Sequence, residues 1–174
     1  MNIAFISPRG TERNQQNNIL YEIFRKLIPV LSFMIDDIEF IPNLGLLQLA
    51  ALVGDEHEVK YIDEDYIDIR DAEPVLFEKK WDIVALSACN NQALRAYEIA
   101  DRFREHGTTV IMGGYHPSAL PEEAKLHADA VFIGEGEDTF PVFLEDFKKG
   151  EIKPFYKSSG DVDLTKLPAP RFDC

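Results

Sequence analysis

The sequence predicts a three-layer α/β sandwich on a parallel sheet, and three observations carry that reading. Five short apolar runs, at residues 3–6, 59–62, 83–86, 109–112 and 130–133, have strand character. They are apolar almost throughout instead of alternating, as strands covered on both faces are. Helical patterns separate them, the order expected of successive βαβ units. A length of 174 residues suits one core of ordinary size.

Each element can be justified in turn. The first strand, 3–6, runs into a long stretch, 10–41, that exceeds a simple strand-to-helix connection. It carries Ile19, Leu20, Ile23, Phe24 and Leu27 at helical spacing, then Leu31, Phe33, Met34 and Ile35, and reads as an insertion with its own apolar surface. The first helix of the sandwich is expected over 44–53, opened by Pro42, closed by Gly54 and apolar on nearly all sides. The crossover at 68–80 is cut short by Pro74. The clearest helix spans 93–106, with Ala96, Ile99, Ala100 and Phe103 on one face and Gly107 as its stop. A short fourth helix is expected at 121–127. In the fifth, Phe140, Phe143, Leu144 and Phe147 repeat the helical spacing, with Asp138 and Thr139 as candidate caps, Pro141 in the first turn and Gly150 at the end. The reading divides the chain into a domain at 1–150 and a linker at 151–174.

Composition excludes several functions. Lys and Arg number 18 against 31 Asp and Glu, a net charge of −13 that repels nucleic acid and anionic membranes. Apolar runs fall short of the roughly 20 residues that cross a bilayer. The N-terminus lacks the basic segment of a signal peptide, so a cytoplasmic location is expected. Two cysteines, Cys89 and Cys174, make neither a disulfide framework nor a metal site. A metal is expected only inside a cofactor. No Gly-x-Gly-x-x-Gly, Gly-Lys-Ser/Thr or Gly-x-Ser-x-Gly motif is present, which disfavours dinucleotide, nucleoside triphosphate and serine hydrolase chemistry.

Ligands of open parallel sheets bind beyond the carboxyl ends of the strands. Those ends supply Ser7 and Pro8, Asp63, Ser87 and Asn90, then Gly113, Gly114, Tyr115 and His116, and finally Gly134, Glu135 and Gly136. Paired glycines after a strand bring backbone close to a bulky ligand, so bulk at Gly114 is expected to exclude it without unfolding the domain. The same glycines also suit a tight turn, Glu135 suits a helix start, and a lone His116 suits a surface hydrogen bond. Cys89 reads as a small buried residue.

Taken in order, Pro42-Asn43-Leu44-Gly45-Leu46, the strand leading to Ser87, Gly113-Gly114-Tyr115-His116-Pro117-Ser118, Pro121-Glu122-Glu123-Ala124, Asp129-Ala130-Val131, Gly134-Glu135-Gly136-Glu137 and Leu167-Pro168-x-Pro170-Arg171 resemble the N-terminal cobalamin-binding domain of cobalamin-dependent radical S-adenosylmethionine (SAM) enzymes. The resemblance implies a flavodoxin-like sandwich of five strands in the order 2-1-3-4-5. It also implies cobalamin across the strand ends, touching Leu44 and Gly45 as well, with the nucleotide tail near Gly113 and Gly114. A C-terminal radical SAM domain would be the partner, carrying the iron–sulfur cluster and SAM and performing methyl transfer or other radical chemistry. This sequence holds no cysteine triad for such a cluster, so the chain alone is expected to be inactive. The Asp-x-His-x-x-Gly motif of better-known cobalamin modules is replaced by Ser7-Pro8-Arg9-Gly10-Thr11, which implies no protein imidazole on cobalt and a lower face covered by residues such as Ser87, Asn90 or Tyr115. The alternatives are a degenerate module that binds no corrin and serves recognition or docking, and a free-standing small-ligand sensor.

Overall fold

The computed structural model describes residues 1–10, 42–65, 79–160 and 162–174. The insertion expected at 10–41 and the helix expected at 68–80 lie outside these, apart from Gly10 and residues 79–80. The described strands are β1 (Asn2–Ser7), β2 (Glu58–Asp63), β3 (Ile83–Ser87), β4 (Thr109–Gly113), β5 (Ala130–Ile133) and β6 (Phe155–Lys157). All pair in parallel, in the order β2-β1-β3-β4-β5-β6. Ile3 sits opposite Ile83, as adjacent central strands require. The expected flavodoxin-like order therefore holds, with one strand more than expected.

That added strand is β6, inside the segment expected as linker. It is only three residues long, too short for a periodic signal. Tertiary burial makes it a strand: the Tyr156 ring stacks on Phe132 at 5.3 Å, and its hydroxyl donates to Asp146 at 2.9 Å.

The helices are α1 (Leu44–Ala51), α2 (Ala93–Glu105), α3 (Tyr115–Ala119), α4 (Pro121–Lys125) and α5 (Phe140–Lys149). Successive strand side chains alternate between two cores. Ile3, Phe5, Ile83, Ala85, Ile111, Ala130 and Phe132 pack with Leu46 and Ala50 of α1 and with Phe140, Phe143 and Leu144 of α5. Ala4, Ile6, Val84, Leu86, Val110, Met112 and Val131 pack with Ala96, Ile99, Ala100 and Phe103 of α2 and Ala124 of α4. Helix α3 occupies residues read from sequence as a loop. No helix among the described residues is long and apolar enough to cross a membrane.

Capping is partly as expected. Asn43 Oδ1 accepts from the Leu46 amide at 3.1 Å to open α1, and Gly150 ends α5 in the left-handed conformation at φ 73°. Asp138 and Thr139 do not cap α5. Thr139 donates back to the Glu135 and Gly136 carbonyls, and Asp138 accepts from Ser158 and Ser159. The chain after β6 returns to the outer side of α1, where the Arg171 amide donates to the Leu47 carbonyl at 3.0 Å and Gln48 Nε2 donates to the Pro168 carbonyl at 2.9 Å.

Beside the switch point between β1 and β3, where a ligand crevice is expected, lies a buried ion pair. Glu64, whose side chain is 0% exposed, takes three bonds from Arg95, the shortest 2.6 Å, and one from the Arg9 amide at 3.2 Å. Hydrogen bonding to Glu64, reinforced by Glu98, drives the guanidinium still further above its ordinary range. Gln92 Nε2 donates to the Pro8 carbonyl beside this pair.

Two outcomes test this account. Arg95→Met leaves a buried carboxylate without its cation and should lower unfolding free energy by about 3–5 kcal/mol, whereas Arg95→Met/Glu64→Leu should recover most of that loss in urea denaturation. Phe140, fully buried between β1 and β5, should cost about 3–5 kcal/mol on replacement by Ala. The exposed Phe172→Ala should cost under about 0.5 kcal/mol, and equal losses at the two positions would refute the packing described.

Candidate functional site

A cleft of about 440 Å³ opens on the α1 side of the sheet, over the carboxyl ends of β3, β4 and β5. Its floor is apolar, made of Ala85, Ile111 and Phe132. The α1 wall supplies Asn43, Gly45, Leu46 and Leu49. Around the mouth lie Ser87 and Cys89, then Gly113, Gly114, Tyr115 and Ser118, and across from them the turn from Gly134 to Glu137. The size lies within the range of small-molecule and cofactor sites, and an apolar floor with a few polar groups is their usual character.

The walls are held from behind. The Asn43 amide donates to Tyr61 Oη at 2.9 Å, and Tyr61 donates onward to Asp63 at 2.8 Å. Burial pushes the Tyr61 phenol well above its ordinary range, so it remains a hydrogen-bond donor at neutral pH. Ser118 Oγ accepts from the Gly134 amide at 3.0 Å, tying α3 to the turn after β5. Partial burial pulls the Asp138 carboxyl up, but the bonds from Ser159 and Ser158 outweigh it and hold it below its ordinary value. The turn carrying Glu135 and Glu137 is thereby fastened to the segment after β6.

Gly114 is the tightest point. Its φ is +96°, and a Cβ there would lie 2.9 Å from Ala88 N, Ala88 O and Ser87 Oγ. The expectation that Gly114→Val would spare the fold is therefore wrong: both the left-handed backbone and the contact with the Ala88 backbone, just past β3, reject a side chain. Gly113 and Gly45 are different. A Cβ at Gly113 meets Phe132 Cβ at 3.4 Å, one at Gly45 meets Asn43 Oδ1 at 3.4 Å, and neither residue has a positive φ.

Of the residues read from the sequence as candidate ligand contacts, the cleft gathers Gly45, Ser87, Gly113, Gly114, Tyr115, Gly134, Glu135 and Gly136. Ser7, Pro8, Asp63 and Asn90 do not line it. Asp63 instead supports Tyr61, and the Pro8 carbonyl is taken by Gln92. Leu44 is half exposed between two cleft residues without lining the cleft. His116 faces away, with Nε2 2.9 Å from Tyr97 Oη and 3.2 Å from Glu123 Oε1 on the α2 side of the sheet. Cys89, read as buried, is exposed at the mouth.

Asn43, Leu46, Leu49, Ser118, Phe132 and Glu137 line the cleft although sequence reasoning did not select them. Several adjoin selected residues, and Leu46 and Leu49 share the three-residue spacing of one helix face. Nothing local marks Phe132, which reads as an ordinary strand residue. Among the described residues, no group of three His, Cys, Asp or Glu side chains is placed to hold a metal ion.

Residues 39–144 match the B12 binding domain family. The chain is 34% identical over 116 residues to bacteriochlorophyllide d C-8(2)-methyltransferase of Chlorobaculum tepidum, covering 67% of this chain and 25% of that protein. It is 32% identical over 142 residues to bacteriochlorophyllide d C-12(1)-methyltransferase of the same organism, with 81% and 30% covered. To the hopanoid C-2 methylase of Rhodopseudomonas palustris it is 27% identical over 146 residues, with 80% and 27% covered. The chain thus spans between a quarter and a third of the length of these relatives. Every residue that lines the cleft lies inside the matched segment, and the chain belongs to the B12 binding domain family.

Proposed function

We propose that the cleft holds cobalamin, and that the domain presents it to a radical SAM domain of a longer methyltransferase. The observation that carries this reading is the coincidence of the family match with one glycine-lined cleft across the ends of β3, β4 and β5. The matched stretches make up only 25% and 30% of two methyl-transferring relatives, which supports reading the domain as one part of a longer protein; of the division at 1–150 and 151–174, the boundary moves past β6, because Phe155–Lys157 belongs to the sheet. A cytoplasmic location belongs to the same reading.

The residues present fit the group. Gly113, Gly114 and Gly134 let backbone approach a bulky ligand, while Leu46, Leu49 and Phe132 offer an apolar bed for the flat base of the nucleotide tail. Asn43, Ser87, Tyr115 and Ser118 offer neutral polar groups to its hydroxyls and carboxamides. When bound, cobalamin supplies a cobalt centre able to carry a methyl group. This chain's residues bind and orient it, and none of those lining the cleft is a histidine. His116 is engaged by Tyr97 and Glu123, so the cobalt would have no imidazole from the described residues.

Hydroxocobalamin should co-elute with the wild-type domain on gel filtration. Gly45→Phe and Gly113→Val, which fill the cleft from α1 and from β4, should each weaken binding by about tenfold or more with far-ultraviolet circular dichroism unchanged. A folded wild-type domain that retains no corrin would refute the proposal and favour the docking module. His116→Ala should leave the absorption spectrum of the bound corrin unchanged. Loss of a nitrogen-ligand signature in that variant would show that His116 reaches cobalt after all.

A further inference from the structure

We infer that the cleft selects corrins whose peripheral carboxyl groups are amidated, and that Glu135 and Glu137 impose the selection; this rests on the cobalamin reading above. The argument begins with charge. Among the described residues, the cleft lining includes no Lys, Arg or His, and its only ionisable carboxylates are Glu135 and Glu137. Both stand on the turn between β5 and α5, where Gly136 between them packs close to Leu49 of α1. Arg95 serves Glu64 and Glu98, Arg104 serves Asp129, and Lys153 serves Asp146, all outside the lining. Among the described residues, none makes a hydrogen bond or ion pair to the side chain of Glu135 or Glu137, and both line the cleft.

The remaining polar lining is neutral, from Asn43, Ser87, Tyr115 and Ser118. Carboxamide N–H groups on the rim of a corrin can donate to the two glutamates, and their carbonyls can accept from the hydroxyls and the side-chain NH2 of Asn43. A carboxylate at the same place would meet two like charges, with no cation among the described lining residues, in a protein that already carries a net charge of −13. Discrimination arises from that repulsion as much as from attraction to the amide.

The test uses cobalamin and its monocarboxylic acids, in which one peripheral amide has been hydrolysed, titrated into the domain and followed by corrin absorbance. Cobalamin should bind wild type more tightly than at least one monocarboxylate isomer by about tenfold or more. Glu135→Gln/Glu137→Gln should bring that ratio to within about threefold, chiefly by tightening the carboxylate form. Glu105→Gln/Glu151→Gln removes the same charge from exposed positions outside the lining and should leave the ratio as in wild type. If cobalamin binds and every monocarboxylate isomer binds equally well, the inference is overturned while the cobalamin reading stands. Discrimination that survives in Glu135→Gln/Glu137→Gln, or that vanishes equally in the control, overturns the assignment to these two residues. Failure of cobalamin itself to bind the folded wild-type domain overturns the cobalamin reading, and the inference with it.

Discussion

Gly114 sets the geometry on which the rest of the site depends. At the end of β4 the chain turns through a left-handed conformation and lies directly on the backbone of Ala88. The Ala88 amide donates to the Gly113 carbonyl, and the His116 amide donates to the Ala88 carbonyl, each at 3.0 Å. These contacts weld the crests of β3 and β4 together and start α3 immediately. Ser118 of α3 then reaches the Gly134 amide and fixes the crest of β5. A side chain at Gly114 would press on the Ala88 backbone, which cannot withdraw without breaking its bonds to Gly113 and His116.

The carboxyl edge of the sheet carries a buried ion pair as well as the cleft. In an open parallel sheet the crests diverge where strand order reverses, here between β1 and β3. The Glu64–Arg95 pair lies beside that point, and such a pair costs much desolvation unless its bonds are complete. Four bonds to Glu64 satisfy it, two of them made through Arg95 Nε. The cleft lies toward β4 and β5, and the start of α1, which forms one wall, is tied to β2 through Asn43, Tyr61 and Asp63.

Electrostatics and packing act together in this space. The aromatic floor is rigid because Phe132 lies among Phe140, Phe143 and Tyr156, with ring centroids between 5.3 and 6.2 Å away. Among the described residues that line the cleft, the only formal charges are negative. A ligand seated here gains from apolar contact and neutral hydrogen bonding. A family built around a large amide-rimmed macrocycle is consistent with such a lining.

The sequence by itself determined the layers, the strand order and most of the cleft's glycines. Apolar continuity over 3–6 and 83–86 can be satisfied only by burial on both faces, and Gly113-Gly114 or Gly134 after a strand leaves few local alternatives. It also ordered motifs that identify the family, because those motifs are contiguous. What only the tertiary structure decided depends on partners distant in the chain. The strand at Phe155–Lys157 exists because Tyr156 finds Phe132, and Asp63 supports Tyr61 instead of a ligand because α1 brings the Asn43 amide to it. His116 faces α2 because Tyr97 and Glu123, 19 and 7 residues away, offer it better hydrogen bonds than the open cleft. Local pattern reports which groups stand at a strand end, whereas the face each one turns to is set by the competition among long-range contacts, which no window of sequence contains.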